Sequence, residues 1–269
     1  MNNLDGKEKF ALITGASMGL GRELAFELAK RKINLVLVSL GNEGLDDLCK
    51  KLKEYGIKVH FFETDLTRRV ELLELTSRIK GSYNLNILIN NAGVGGSKEF
   101  EKTDITYIDS IIDLNIRALV LTTRELLPVL KKNKPSYILN VSSMASFSPI
   151  GFKTIYPASK VFIDYFTRGL AEELKGTGIS ASVVHPGPMK TNMHVIKRIN
   201  KHGFLGRMGV MSPEKVAEIA VNKMFRRRSS ILAGTVNRLN FLLIKILPSC
   251  ITLPLLTKAV KKEIQKDSE

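Results

Sequence analysis

The chain has 269 residues, 44% hydrophobic and 25% charged, with a formal net charge of +15. That apolar content is enough for one sizeable core and excludes wholesale disorder. The charge excess admits nucleic acid, an anionic membrane surface or an anionic substrate as partner, and says little about fold. The excess is uneven, with ten Lys or Arg against three acids from Lys223 to Glu269. No nucleic-acid reading motif and no aromatic stacking platform accompany it, so no specific nucleic-acid partner is expected. Cys49 and Cys250 are distant and form no CxxC pattern, which predicts free thiols in a reducing compartment. His60, His185, His194 and His202 lack metal-ligand spacing, so no metal is expected. The segment from Met1 to Lys9 has no apolar signal-peptide core, which predicts a cytoplasmic protein.

In chain order, Phe10–Ile13 reads as a strand and Leu20–Lys32 as a helix with Leu20, Leu24, Ala25, Leu28 and Ala29 on one face. Asn34–Val38 reads as a buried strand, Gly44–Tyr55 as a helix and Lys58–Phe62 as a strand. Arg68–Lys80 follows as a helix and Ile87–Ile89 as a strand. A long helix spans Ile105–Leu130. Tyr137–Val141 is a strand, Tyr156–Lys175 a helix and Ser180–His185 a strand. Near-continuous apolar strands alternating with helices predict an α/β fold, a doubly wound parallel sheet with helices on both faces. With no repeat and no low-complexity linker, residues 1–269 read as one domain.

Ser212-Pro213-Glu214 starts a further helix that runs to about Arg227. Beyond Arg226-Arg227-Arg228, residues 229–269 form a basic, apolar, helical extension. Val236–Leu256 is rich in Leu and Ile but is interrupted by Arg238, Asn240 and Lys245, and Pro248 and Pro254 are expected to break a continuous helix. The stretch falls short of the roughly 20 apolar residues that span a bilayer. It fits amphipathic helices lying on a membrane, or a tail folded onto the protein, a substrate tunnel or a partner subunit.

Thr14-Gly15-Ala16-Ser17-Met18-Gly19-Leu20-Gly21 lies between the first strand and the first helix. Glycines at 15, 19 and 21 permit a tight turn and close approach to phosphates, and the helix presents unpaired N–H groups to a pyrophosphate. The spacing is GxxxGxG rather than GxGxxG. At the end of the second strand, Ser39-Leu40-Gly41-Asn42, no carboxylate is in place to grip a ribose, and no Arg stands there either. Arg22, Ser39 and Asn42 together are placed to receive a 2′-phosphate, so NADP(H) is favoured over NAD(H).

With these motifs the sequence resembles the short-chain dehydrogenase/reductase family from about Lys9 to Thr191. The resemblance rests on the turn at Thr14–Gly21, Asp65 after the third strand, and Asn90-Asn91-Ala92-Gly93 after the fourth. It rests further on Asn115 within Leu114-Asn115-Ile116, Ser142-Ser143 after the fifth strand, Tyr156-Pro157-Ala158-Ser159-Lys160, and Pro186-Gly187 with Thr191 beyond. It implies a Rossmann-like oxidoreductase acting on CH–OH groups with a nicotinamide cofactor as acceptor. It places Ser143, Tyr156, Lys160 and Asn115 in catalysis. The cofactor falls to Gly15, Ser17, Met18, Gly19, Leu20, Gly21, Ser39, Leu40, Asp65, Leu66, Asn91, Ala92, Gly93, Tyr156, Lys160, Pro186, Gly187 and Thr191. Asn90 reads as structural.

Tyr156 and Lys160 are i and i+4 on a helix and share a face. A phenol titrates near 10, and a neighbouring ammonium is expected to lower that value. Tyr156 then serves as acid in reduction and base in oxidation. Ser143 donates to the substrate oxygen as charge builds. By resemblance, Lys160 also binds the nicotinamide ribose and Asn115 holds a water of the proton relay. Residues 189–209 read as the substrate loop, with Met189, Met193, Ile196, Phe204, Leu205 and Met208 among five basic residues. The expected substrate is a small apolar carbonyl or alcohol: a 3-keto lipid, a 3-oxoacyl group or a steroid. A homo-oligomer with peripheral membrane contact through the tail is consistent with the resemblance. The competing reading is a non-catalytic NADP sensor or membrane-surface scaffold on the same fold.

Overall fold

The computed structural model describes residues 8–189 and 209–267. Among the described residues seven strands form one sheet, all neighbours parallel. They are β1 Phe10–Thr14, β2 Asn34–Ser39, β3 Val59–Glu63, β4 Leu85–Asn90, β5 Ser136–Val141, β6 Ile179–His185 and β7 Ser230–Leu232. Their order is β3-β2-β1-β4-β5-β6-β7. The chain winds outward from β1 to β3, then returns to β4 on the other side of β1. A crevice therefore opens between the carboxyl ends of β1 and β4, where such sheets bind ligands.

Helices cover both faces because alternate strand residues are apolar on both. Ala11, Ile13, Leu35, Leu37, Ile87, Ile89 and Leu139 pack on one side with Leu24 and Leu28 of α1 (Gly19–Lys30). Cys49 of α2 (Leu45–Lys53) lies in the same layer, where burial pushes its thiol up to about 11. Leu12, Val36, Val38, Leu88 and Ile138 pack on the other side with Leu72 and Ile79 of α3 (Arg69–Ser82). Each fully buried Leu or Ile contributes about 1.5–3 kcal/mol relative to an exposed one.

The expected helix from Ile105 to Leu130 has an internal change of register. It comprises α4 (Ile105–Ile111), a π-helical segment (Ile112–Ala118) and α5 (Leu119–Lys132). α6 is Ile155–Glu173 and α7 is Pro213–Phe225, where Ser212 Oγ accepts from Lys215 N at 3.4 Å as an N-cap. The strand β7, too short to show in the sequence pattern, adds at the β6 edge with Ile231 fully buried.

At the C-terminal end α8 is Thr235–Ile246 and α9 is Ser249–Asp267. Leu247 between them is extended, as a residue before proline must be. Pro248 therefore does end a helix, but Pro254 does not. It is carried inside α9, past the first turn, at the cost of one helix hydrogen bond. Among the described residues no helix is long and apolar enough to cross a membrane.

Candidate active site

The Gly-rich turn leaves β1 at Gly15, whose φ is +63° and whose added Cβ would lie 2.8 Å from Ala92 Cα. A Cβ at Gly21 would collide with the Gly15 carbonyl. Asn91 braces the turn, its Nδ2 donating to the carbonyls of Thr14 at 3.0 Å and Gly15 at 2.8 Å. Thr14 Oγ1 in return accepts from the backbone N–H groups of Asn91 and Ala92. The Asn91 side chain is thus committed to the turn. Asn90 is buried and donates to Thr123 Oγ1 and Asn140 Oδ1, a structural role.

At the start of α1, exposed Met18 makes no side-chain cap. The first-turn N–H groups of Gly19, Leu20 and Gly21 keep the positive end of the helix dipole at the crevice. A cradle that side chains would block, facing an uncapped helix start, fits the pyrophosphate of a dinucleotide.

The end of β2 departs from expectation. A carboxylate does reach it, from Glu43 beyond the turn. Glu43 Oε2 accepts from Ser17 Oγ at 2.6 Å and from Ser39 Oγ, and the two hydroxyls are 2.9 Å apart. Asn42 N donates to Glu63 Oε1 at 3.2 Å, so a second carboxylate borders the place. Arg22 turns away, 3.8 Å from Glu23 and over the Phe26 ring. Leu40 is exposed at the rim. Asp65 closes an Asx turn, Oδ1 accepting from Thr67 N and Oγ1, with Leu66 buried beside it.

The four expected catalytic residues converge beyond β4 and β5. Ser143 is extended, its Oγ accepting from Ala145 N at 3.1 Å, and its hydroxyl lies near enough to the Tyr156 phenol to lower the pKa of that group. Tyr156 stands in the first turn of α6, with its ring against Gly95, where an added Cβ would lie 2.5 Å from the ring. Lys160, one turn on, is buried and donates to the Val141 carbonyl at 3.1 Å, with Nζ 5.7 Å from the Tyr156 ring centroid. Asn115, fully buried in the π segment, donates to the Val94 carbonyl at 2.9 Å and to Ser159 Oγ at 3.0 Å. Its Oδ1 accepts from Val94 N at 2.9 Å. Asn115 therefore ties the backbone next to Gly95 to the turn of α6 between Tyr156 and Lys160. A π turn is a common device where a helix must aim one side chain into a site.

The electrostatics differ from expectation at Tyr156. Burial raises the phenol above its ordinary 10, the Ser143 hydrogen bond pulls it back, and Tyr107 adds a smaller upward push. Lys160 does not offset this, because burial holds its own ammonium down to about 8. Desolvation of both groups outweighs their attraction.

Next to Tyr156 lies a pocket lined by Phe100, Tyr107, Ile111, Phe152 and Ile155, with Lys98 and Lys153 at its edge. On the far side, the Pro186 carbonyl accepts from Met144 N at 2.9 Å. Gly187 packs on Asn237 of α8, where an added Cβ would lie 2.5 Å from Nδ2. Met189 and Met211 form a parallel bridge, and Met211 N donates to the Pro188 carbonyl at 3.1 Å. Thr191 and most of the expected substrate loop, residues 190–208, lie outside the described residues.

Two buried residues here were not anticipated. Asn237 Nδ2 donates to the carbonyls of Gly209 at 3.1 Å and Ala233 at 2.8 Å. His185 Nδ1 is 3.2 Å from Ser146 Oγ, which donates to the Ser143 carbonyl at 2.7 Å. His185 Nε2 is 3.3 Å from Asp164 Oδ1, close enough for attraction but too bent for a hydrogen bond. Lone buried polar residues carry no spacing signal, so only the fold reveals them. Among the described residues no group of His, Cys, Asp or Glu is placed to hold a metal ion.

Comparison with known proteins agrees with this geometry. The family model described as short chain dehydrogenase matches residues 9–201. The chain is 32% identical over 236 residues to the ketoacyl reductase HetN of Nostoc sp., covering 87% of this chain and 80% of that one. It is 33% identical over 198 residues to the very-long-chain 3-oxoacyl-CoA reductase of Anas platyrhynchos, covering 72% of this chain and 64% of that one. It is 30% identical over 244 residues to estradiol 17-beta-dehydrogenase 11 of Mus musculus, covering 89% and 80%. Among solved structures, a short-chain dehydrogenase from Sphingobium yanoikuyae in complex with NADPH superposes with a TM-score of 0.76 at 29% identity, over 89% of this chain and 96% of that one. A parallel sheet wound from β1, a Gly-rich turn braced by Asn91, and Ser143, Tyr156, Lys160 and Asn115 gathered beyond β4 and β5 go together with these matches: the chain belongs to the short-chain dehydrogenase family of oxidoreductases.

Proposed function

We propose that this enzyme interconverts a ketone and a secondary alcohol, working as a reductase of a lipophilic carbonyl: a 3-keto lipid, a 3-oxoacyl group or a steroid. The observation that carries this reading is Tyr156, near Ser143 and beside a small cleft in which Phe100, Tyr107, Ile111, Phe152 and Ile155 stand with Lys98, Thr103, Lys153 and Thr154. The relatives named as ketoacyl, very-long-chain 3-oxoacyl-CoA and estradiol enzymes support a lipophilic substrate.

A bound nicotinamide cofactor supplies the hydride. The chain supplies position and a proton. A phenol held above its ordinary range stays protonated at neutral pH, ready to donate to a developing alkoxide. Ser143 donates a hydrogen bond to the same oxygen while hydride transfer builds charge on it, before the Tyr156 proton neutralises it. Lys160 holds the cofactor ribose, Asn115 orders the relay, and the uncapped start of α1 takes the pyrophosphate. The whole chain works as one oxidoreductase domain. The cofactor is taken as NADP(H), supported by a solved relative in complex with NADPH. Glu43 is the feature that opposes a 2′-phosphate. A homo-oligomer is proposed as well, since Ile105, Phe162 and Tyr165 stand exposed on α4 and α6, which pack against each other.

The test is Tyr156→Phe, which keeps the ring against Gly95 and removes the proton. NADPH binding, read by fluorescence, is expected to persist. Turnover of a long-chain ketone is expected to fall about 10²–10⁴-fold. Turnover at the wild-type rate would show that Tyr156 is not the acid, and NADPH binding with no turnover even by wild type would favour the non-catalytic reading.

A further inference from the structure

The helix α8 is apolar on two sides and can use only one of them inside the protein. Inward, Asn237 is buried and Phe241 meets the ring of Phe147 at 4.6 Å. Outward, Val236, Leu239, Leu242, Leu243 and Ile246 are all exposed, Ile246 by 77%. At 3.6 residues per turn these five fall within roughly a third of the helix circumference. Leu247 and, at the start of α9, Ile251, Leu253 and Leu255 are exposed as well. Scattered single exposed apolar residues are ordinary, but a contiguous set of this kind marks an interaction surface.

The charge around it has one sign. From Thr235 to Lys262 there is no Asp or Glu. Arg238 and Lys245 border the apolar face on α8, and exposed Lys258, Lys261 and Lys262 follow on α9. Burial and the neighbouring Arg238 and Arg228 hold the Lys223 ammonium below its usual range, a mark of how closely the cations are gathered. A second copy of the chain is a poor match, because pairing this face with itself sets cations against cations. An anionic interface with an apolar interior matches both features, with apolar side chains in the acyl boundary and Lys and Arg at the headgroups.

We propose that the outer face of α8 and the start of α9 dock on an anionic lipid surface. Docking leaves the inner face free for the contacts it already makes beside the active site. Phe241 holds Phe147, four residues after Ser143, and Thr257 Oγ1 accepts from Gly151 N at 3.0 Å in the loop that leads to Tyr156. The docked face is therefore continuous with the segments that carry the catalytic groups. If the lipophilic-carbonyl reading above is right, the surface also delivers the substrate, but docking itself does not depend on that reading.

The experiment is sedimentation of the full chain with phosphatidylglycerol/phosphatidylcholine vesicles and with pure phosphatidylcholine vesicles. The expected result is binding to the anionic vesicles that weakens at least tenfold when salt is raised, with little binding to the neutral ones. The double variant Leu243→Glu/Ile246→Glu is expected to lose this binding while keeping wild-type NADPH affinity, which shows that it has folded. Arg238→Glu/Lys245→Glu is expected to weaken it in the same assay without altering any apolar contact. Equal binding to both vesicles, or none, would overturn the proposal. So would a drop in oligomer size for Leu243→Glu/Ile246→Glu, since the face would then be a subunit interface. Vesicle binding is read without turnover, so a failure of the reductase reading does not touch it.

Discussion

The side-chain amide of Asn237 donates to the Gly209 carbonyl at 3.1 Å while lying against Gly187, so a single side chain of α8 touches both ends of the 187–209 segment. A Cβ at Gly187, or at Gly209 with its φ of +82°, would run into the same amide. Substitution Asn237→Leu keeps the volume and removes the donor, leaving a buried carbonyl unpaired. A loss of about 1–3 kcal/mol is expected, or a fall of several degrees in Tm. If residues 189–209 form the substrate loop, the KM for the ketone is expected to rise more than that for the cofactor. Thermal melts and steady-state kinetics on the variant check both.

The second prediction concerns pH. Burial depresses the Lys160 ammonium from its ordinary 10.5 to about 8. Between about pH 8 and pH 10.5 the unfolded chain holds a proton at this position that the folded chain has released. Unfolding therefore takes up a proton, and the contribution of Lys160 to stability rises with pH across that window. Tyr156, shifted upward, stays protonated in both states below about pH 10 and adds no slope there. Lys160→Met removes the effect. The urea-unfolding free energy of wild type, measured against that of Lys160→Met, is expected to improve by up to about 3 kcal/mol from pH 7.5 to pH 10.5. A flat difference would show that the lysine is not desolvated as the structure has it.

The third concerns cofactor choice. A 2′-phosphate at the end of β2 meets the Glu43 carboxylate, which already accepts from Ser17 and Ser39. Glu43→Gln removes the charge and keeps the shape. The ratio of NADPH to NADH affinity is expected to rise, on the order of tenfold for one charge in a partly screened pocket. Parallel fluorescence titrations with the two nucleotides measure it. An unchanged ratio would mean that Glu43 swings clear when the nucleotide binds.

Much of this was legible in the sequence. Strands buried on both faces are apolar runs whatever their register, so Asn34–Ser39 and Ser136–Val141 were visible to within a residue. The spacing of Ser143, Tyr156 and Lys160 is short and rigid, and motif reading brought them together with Asn115 as the structure does. What escaped depends on through-space return. Glu43 lies four residues past Ser39 and comes back through a turn in which Asn42 has a φ of +63°. His185 and Asn237 have no local partner to announce them. β7 is three residues long, below what periodicity can detect. Pro254 was misjudged because an internal proline costs one hydrogen bond and bends a helix, which a helix of 19 residues absorbs without ending.

The π segment from Ile112 to Ala118 bears on which changes of length this chain can accept. A π turn accommodates one residue more than an α turn, so deleting a residue there would restore a regular helix while rotating α5 against α4 by about 100°. Either the buried face of Leu119, Leu126 and Leu130 would then leave the core, or Asn115 would leave Val94 and Ser159. The surface loops can lengthen or shorten at little cost. Between Ile111 and Leu119 the residue count is therefore fixed twice over, by the core face of α5 and by the contacts of Asn115.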